Sequence, residues 1–135
     1  MRLSKMLSSR KINNQVITKQ LPRSEYLSII NRAKTVLLLP NITEGFYLPA
    51  LEAMYLQSLV ICPDCIGNRG FCINKSTCIS PAYSEESIMG AVDLSLLLKD
   101  VERNNIIETA FSFARDATLE RERKIFLNLL SGLKV

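Results

Sequence analysis

The chain has 135 residues, of which 47% are hydrophobic and 22% are charged, a composition that suits one globular domain with a sizeable core and excludes a disordered or fibrous chain. No apolar run approaches the ~18 residues that a membrane helix needs, and the amino-terminal segment lacks the apolar centre of a signal peptide. We therefore expect a cytoplasmic protein whose membrane contact, at most peripheral, is at the inner face.

The positive charge is concentrated at the amino end. Residues 1–34 contain eight basic residues and a single acid, Glu25, whereas residues 35–135 contain nine basic residues and twelve acids. Such an end could face anionic lipid, an acidic partner segment or nucleic acid, or could be solvated. We interpret it as a solvated basic face, because no aromatic or glycine pattern of a nucleic-acid-binding module accompanies it.

The first third of the chain predicts a strand followed by a helix. Residues 1–14 form a short helix or a frayed tail. Gln15–Gln20 has the composition of a strand, and the helix that follows opens near Pro22, with Ser24 as its candidate cap. Its apolar residues recur at helical spacing.

A turn between a strand and a helix comes next, and it carries two acids. Thr35–Leu39 is a continuous apolar run, typical of a strand buried on both faces of a parallel sheet, and Pro40 ends it. The following helix should begin near Phe46, because a proline is acceptable only in its first turn. Glu44 then lies in the loop at the carboxyl end of the strand, beside the free N–H groups of a helix start, and Glu52 lies two turns into the helix. These are the parts of an anion-binding crevice.

The rest of the chain continues the alternation of strands and helices. Strands are predicted at residues 59–62 and 77–80, and helices at residues 84–98, 105–115 and 119–130. The loop after the first of these strands contains Gly67, Asn68 and Arg69, which line the same crevice or form an ordinary surface turn. The pattern predicts an α/β fold, with a Rossmann-like parallel sheet flanked by helices.

Four cysteines, Cys62, Cys65, Cys72 and Cys78, fall within a short stretch. One Cys-x-x-Cys pair without a second pair or any histidine does not complete a zinc pattern, and the pair does not open a helix as a redox motif would. We therefore predict free, buried or partly buried thiols and no metal.

Residues 44–54, Glu-Gly-Phe-Tyr-Leu-Pro-Ala-Leu-Glu-Ala-Met, resemble the E-x7-E signature of the large retaining family of nucleotide-sugar glycosyltransferases with the GT-B fold. Weaker similarity runs from about Gln15 to Ala91. The resemblance implies that the chain is the carboxyl-terminal part of a donor-binding domain, a single partial domain over residues 1–135.

The resemblance also implies roles for the residues of the signature. Glu44 would be the catalytic acid beside the transferred sugar, and Glu52 would hold the ribose hydroxyls. The donor substrate would be a nucleotide-diphosphate sugar, with no further cofactor, and the acceptor a saccharide or a lipid-linked saccharide, as in cell-surface polysaccharide synthesis. The diphosphate and the rest of the donor would meet the start of the helix at Gly45, Phe46, Tyr47 and Leu48.

The chain also departs from the family pattern. Gln57-Ser58 stands where a glycine is usual, the loop at residues 65–71 has no glutamate, and nothing in residues 1–34 matches the basic pair that neutralises the diphosphate. We therefore expect the isolated chain to be inactive. The alternative is a non-catalytic remnant or assembly module that self-associates or pairs with a separately encoded acceptor domain.

Overall fold

A computed structural model describes residues 2–117 and 119–132, except for the side chains at 119, 122 and 126. Six helices, two strands and a short 3-10 turn follow one another along the described chain. Their bounds are α1 Arg2–Ser9, α2 Arg23–Arg32, β1 Thr35–Leu37, α3 Leu48–Tyr55, β2 Leu59–Ile61, the 3-10 turn Ile66–Asn68, α4 Glu85–Leu97, α5 Asp100–Asp116 and α6 Leu119–Gly132.

The sheet is parallel, as the continuous apolar runs predict. β1 pairs with β2 with Val36 opposite Val60, and α3 makes the crossover between the two strands. A third segment adds one parallel bridge. The N–H of Ile79 donates to Val60 O at 2.9 Å, and the N–H of Cys62 donates to Ile79 O at 3.0 Å. The fold class expected from the sequence is confirmed.

Alternate strand residues supply two apolar layers, one on each face of the sheet. Val36 and Val60 lie in the layer that packs against α2, α3 and the second half of α5. Leu59 and Ile61 lie in the other layer, with residues of α4 and the first half of α5. Because both faces are covered, the carboxyl edge of the strands is where polar residues can meet a ligand.

The basic amino end folds back onto α4. Arg2 pairs with Glu85 at 3.1 Å and Arg10 pairs with Asp93 at 2.6 Å, while Leu7 packs against the second apolar layer. Part of the positive charge of residues 1–34 is therefore matched by acids of the same chain.

The strand predicted at Gln15–Gln20 is wrong, since this segment is irregular. Within residues 2–117 and 119–132, β1 pairs only with β2, and the segment joins neither strand.

Two further local predictions are corrected. Ser24 is not the cap of α2, because the helix begins at Arg23 and Pro22 occupies the cap position. The strand predicted at residues 77–80 is reduced to single bridges at Cys78 and Ile79, and the hydroxyl of Thr77 bonds back to the backbone of its own loop.

The helices after the sheet form close to their predicted positions. Ser84 caps α4, its hydroxyl accepting from the N–H of Ser87 at 3.2 Å. α5 begins at Asp100, earlier than predicted, because the Glu102 carboxylate accepts from the N–H of Lys99 and caps this turn. The side chains of Leu119 and Phe126, two apolar residues of the helix predicted at 119–130, lie outside the described part. None of the described helices is long and apolar enough to cross a membrane.

Candidate functional site

Two loops at the carboxyl edge of the sheet are joined by backbone hydrogen bonds. The N–H of Ile66 donates to Ile42 O at 3.0 Å, and the N–H of Gly67 donates to Glu44 O at 2.9 Å. Gly67 O in turn accepts from the N–H of Tyr47 at 3.2 Å. The signature loop and the Gly67 loop therefore form one rim.

Glu44 lies on this rim, after the carboxyl end of β1. Its N–H closes a turn onto Asn41 O at 3.0 Å, and its carbonyl is held by Gly67. Its side chain is exposed, and no ion pair of Glu44 is seen among the described residues. The backbone of Glu44 is thus fixed while its carboxylate is available to a ligand.

Of the N–H groups that the sequence assigned to anion binding, only some are free. The N–H of Tyr47 is used by Gly67 O, and that of Leu48 donates to Phe46 O at 3.1 Å. α3 begins at Leu48, two residues later than predicted. The N–H groups of Gly45 and Phe46 have no acceptor in the part of the chain that the structure describes. They are the donors that an anion could meet.

Gly45 also leaves room for such an anion. A Cβ built at this position would have no atom within 4 Å, so the space above it is open. The side chain of Phe46 points outward, 71% exposed, with its ring 5.6 Å from that of the buried Phe71. At Gly45 and Phe46, the polar groups presented to a ligand are therefore those of the backbone.

Glu52 is held inside the domain by an arginine that the sequence reasoning missed. Its side chain is only 11% exposed, and its Oε1 lies 2.5 Å from Nη2 of Arg23, the first residue of α2. The guanidinium occupies Oε1, which is buried, whereas Oε2 has no hydrogen bond or ion pair with any described residue. The pair thus leaves one carboxylate oxygen of Glu52 to a ligand.

Two half-buried tyrosines lie close enough to the two acids for the acids to raise their pKa values. Burial raises the pKa of the Tyr47 phenol, and Cys62, Tyr26 and Glu44 raise that pKa further. Burial also raises the pKa of Tyr26, with the charge of Glu52 as the next cause. Both phenols are therefore neutral near pH 7 and pack against the first apolar layer.

A shallow cavity of about 350 Å³ opens beside the ion pair. Arg23 and Tyr26 lie one helical turn apart on α2. This spacing is the feature of the sequence from which their proximity could have been predicted. The irregular segment before α2 supplies the remaining wall. The lining residues are Ile17, Lys19, Gln20, Leu21, Arg23 and Tyr26.

The side chains of Asn68 and Arg69 make their contacts within their own loop, whereas Gly67 contacts the signature loop. The Asn68 side chain is buried and its Oδ1 accepts from the N–H of Cys65 at 3.1 Å, while its Nδ2 donates to Pro63 O at 2.9 Å. The exposed Arg69 makes a bidentate pair with Asp64 and lowers the pKa of that carboxyl. Of Gly67, Asn68 and Arg69, only Gly67 makes hydrogen bonds to the signature loop in the described part of the chain.

The four cysteines are free thiols, and all but the half-buried Cys72 are buried, as the sequence predicts. Hydrogen bonds to Cys62 and Cys78 raise the pKa of Cys72, and the same contact with Cys72 lowers that of Cys62. Within the described ranges, no three potential ligands are placed to hold a metal ion.

The family described as "Glycosyl transferases group 1" matches residues 1–113. The chain belongs to this glycosyltransferase family. No curated protein matches the chain.

Solved structures of glycosyltransferases share the fold. The crystal structure of the C-terminal domain of a glycosyl transferase group 1 family protein, LpcC from Francisella tularensis, superposes with a TM-score of 0.67 and 19% identity, covering 86% of this chain. Sucrose-phosphate synthase from Thermosynechococcus elongatus gives a TM-score of 0.67 and 16% identity, covering 98% of this chain. The chain spans 60% and 34% of the lengths of those two proteins.

Proposed function

We propose that this glycosyltransferase-family chain binds a nucleotide-diphosphate sugar as the donor of a glycosyl transfer. The observation that carries the proposal is the pair of unused N–H groups at Gly45 and Phe46, beside the exposed carboxylate of Glu44. Successive unused backbone N–H groups in a turn bind phosphate oxygens, and the open space above Gly45 admits them.

Each acid then has a separate task. Sugar transfer passes through a state with oxocarbenium character, so the Glu44 carboxylate would stabilise positive charge that develops on the sugar or orient its hydroxyls. The backbone N–H groups would take the charge that grows on the leaving diphosphate. Glu52 would receive a ribose hydroxyl on Oε2, the oxygen that Arg23 does not occupy. None of these tasks requires a metal ion.

The acceptor, a saccharide or a lipid-linked saccharide of cell-surface polysaccharide synthesis, is proposed on the family resemblance alone. The chain spans 60% of the compared carboxyl-terminal domain, and we propose donor binding by this chain, not turnover.

The test is a thermal-shift titration of the chain with nucleoside diphosphates and their sugar conjugates. We expect a stabilisation that Glu52→Ala weakens by about 1–3 kcal/mol of binding free energy, through a lost charged hydrogen bond. Glu44→Gln should weaken the sugar conjugates more than the bare nucleotides. The exposed Glu120, on α6, provides the control Glu120→Gln, which should change neither.

Two results would count against the proposal. No shift with any nucleotide would remove donor binding. Equal effects of Glu44→Gln on conjugates and bare nucleotides would remove the sugar assignment of Glu44.

A non-catalytic assembly module is the second candidate, and exposed apolar side chains on α6 favour it. These side chains are Ile125, Leu127, Leu129 and Leu130. Such a surface favours self-association or pairing with an acceptor-domain chain. Sedimentation analysis would detect self-association, and a monomer that binds nucleotides would favour the first candidate.

A further inference from the structure

We propose that Arg23 is a positioning residue for the donor, acting through Glu52 so that the Glu52 carboxylate meets the ribose in one fixed orientation. The inference rests on the proposed function, since it concerns the same site. It assigns a role to a residue outside the E-x7-E signature, at the start of a different helix.

The ion pair is asymmetric in its burial. The Glu52 side chain is 11% exposed and that of Arg23 is 66% exposed, with 2.5 Å between Oε1 and Nη2. A carboxylate removed from water needs a compensating charge, whereas an exposed guanidinium remains hydrated. Arg23 therefore matters more to the state of Glu52 than Glu52 matters to Arg23.

The pair occupies only one oxygen of the carboxylate. A bidentate arginine would occupy both oxygens, yet Nη2 of Arg23 lies against the buried Oε1 and Oε2 has no partner among the described residues. A ribose hydroxyl is a donor of the right kind for Oε2. It would add its hydrogen bond to an acid whose charge is already neutralised and whose orientation is fixed through Oε1.

A cavity adjoins the arginine of this pair. Arg23 and Tyr26 line it, together with Lys19 from the irregular segment, whereas Glu52 is not among its lining residues. The Tyr26 phenol is held neutral by burial and by Glu52, so it adds no competing negative charge. A nucleotide in this cavity would contact the guanidinium, and its ribose would meet Glu52 at the oxygen that Arg23 leaves free.

The test measures discrimination between ribose and deoxyribose. The probes are uridine and guanosine diphosphates with their 2′-deoxy and 3′-deoxy counterparts, and the readout is the Kd of each by calorimetry. We expect the unchanged chain to bind the better ribonucleotide roughly 10–100-fold more tightly than the deoxy form that lacks the bonded hydroxyl.

Three variants isolate the role of Arg23. Arg23→Gln should bring the ribo-to-deoxy ratio toward one and lower the melting temperature, because it leaves the buried Glu52 carboxylate without its compensating charge. Arg23→Lys keeps the charge without the planar fork and should restore part of the ratio. Lys19→Gln removes a charge from the wall of the same cavity and should weaken all nucleotides alike, leaving the ratio unchanged.

Each outcome decides between the inference and the proposed function. A ratio that survives in Arg23→Gln overturns the positioning role while leaving donor binding in place. A chain that binds nucleotides without any preference for ribose also overturns it. A chain that binds none of the probes overturns the proposed function, and the role of Arg23 with it. If Arg23→Gln is too unstable for the comparison, the ribo-to-deoxy ratio of Arg23→Lys is used instead. A ratio below that of the unchanged chain supports the positioning role, and an unchanged ratio overturns it.

Discussion

Gly67 and Gly45 approach each other so closely that a Cβ at position 67 would lie 1.1 Å from the carbonyl oxygen of Gly45. The requirement for glycine at position 67 is steric, because its φ is not in the left-handed region. This contact joins the loop that carries Glu44 to the loop that follows β2.

Gly67→Ala should therefore destabilise the domain. The added methyl group meets backbone, which cannot move aside as a flexible side chain would, so the two loops must separate. We expect a loss of at least about 1–3 kcal/mol of unfolding free energy, measured by chemical denaturation. Gly70→Ala is the matched control in the same loop, since a Cβ there has no neighbour within 4 Å, and the two variants should differ clearly. Equal stabilities would refute the close approach.

Gly45→Ala should separate stability from binding. A Cβ at Gly45 faces open space, so the melting temperature should change little. If a diphosphate approaches the N–H groups of Gly45 and Phe46, the same methyl group obstructs it, and nucleoside diphosphate affinity should fall about tenfold or more. Calorimetric titration beside a thermal melt checks both. A variant that binds as tightly as the unchanged chain would place the diphosphate elsewhere.

Asn68→Ala should be among the costly substitutions of the Gly67 loop. It removes the acceptor of the Cys65 N–H and the donor to Pro63 O, and both partners are buried. Leaving such groups unsatisfied costs roughly 2–4 kcal/mol in total. Asn104→Ala, at an exposed position of α5, controls for loss of the amide and should be nearly neutral. The measurement is the free energy of unfolding, and a small effect at position 68 would show that water replaces the amide.

The sequence predicted those elements in which local pattern and tertiary packing agree. β1, β2 and α4 carry apolar patterns that their burial requires, so their positions were read within a few residues. Gln15–Gln20 has the same kind of pattern, but a strand also needs a neighbour, and composition does not reveal one. The start of α5 depends on a single cap, Glu102, that precedes its apolar residues.

The sequence predicted those parts of the site that are close together along the chain, but not the contacts between distant segments. Sequence order alone puts Glu44 after a strand and Glu52 on the next helix, because the chain is continuous there. The pairing of Arg23 with Glu52 joins two helices and depends on packing, which spacing does not encode. The sequence shows Gln57 where a glycine is usual in the family, but it does not show why glycine is preferred there. The φ of Gln57, 59°, lies in the left-handed region, which explains why glycine is usual there.

The buried phenol of Tyr47 should make stability depend on alkaline pH. Burial raises the pKa of Tyr47 in the folded chain above its ordinary value of 10.0. A group whose pKa is higher in the folded state contributes stability that is complete below its unfolded pKa and is lost as the pH rises toward its folded pKa. The free energy of unfolding should therefore fall once the pH passes about 10.

Tyr47→Phe should remove this contribution and flatten the alkaline fall, because phenylalanine has no proton to lose. Urea denaturation at a series of pH values measures it, with tyrosinate absorbance reporting ionisation. Tyr83, which is 58% exposed, supplies the control, and Tyr83→Phe should follow the unchanged chain. If Tyr47→Phe and the unchanged chain lose stability in parallel, Tyr47 is accessible to solvent in the folded protein. That result would contradict its half-buried position near Glu44 and Tyr26.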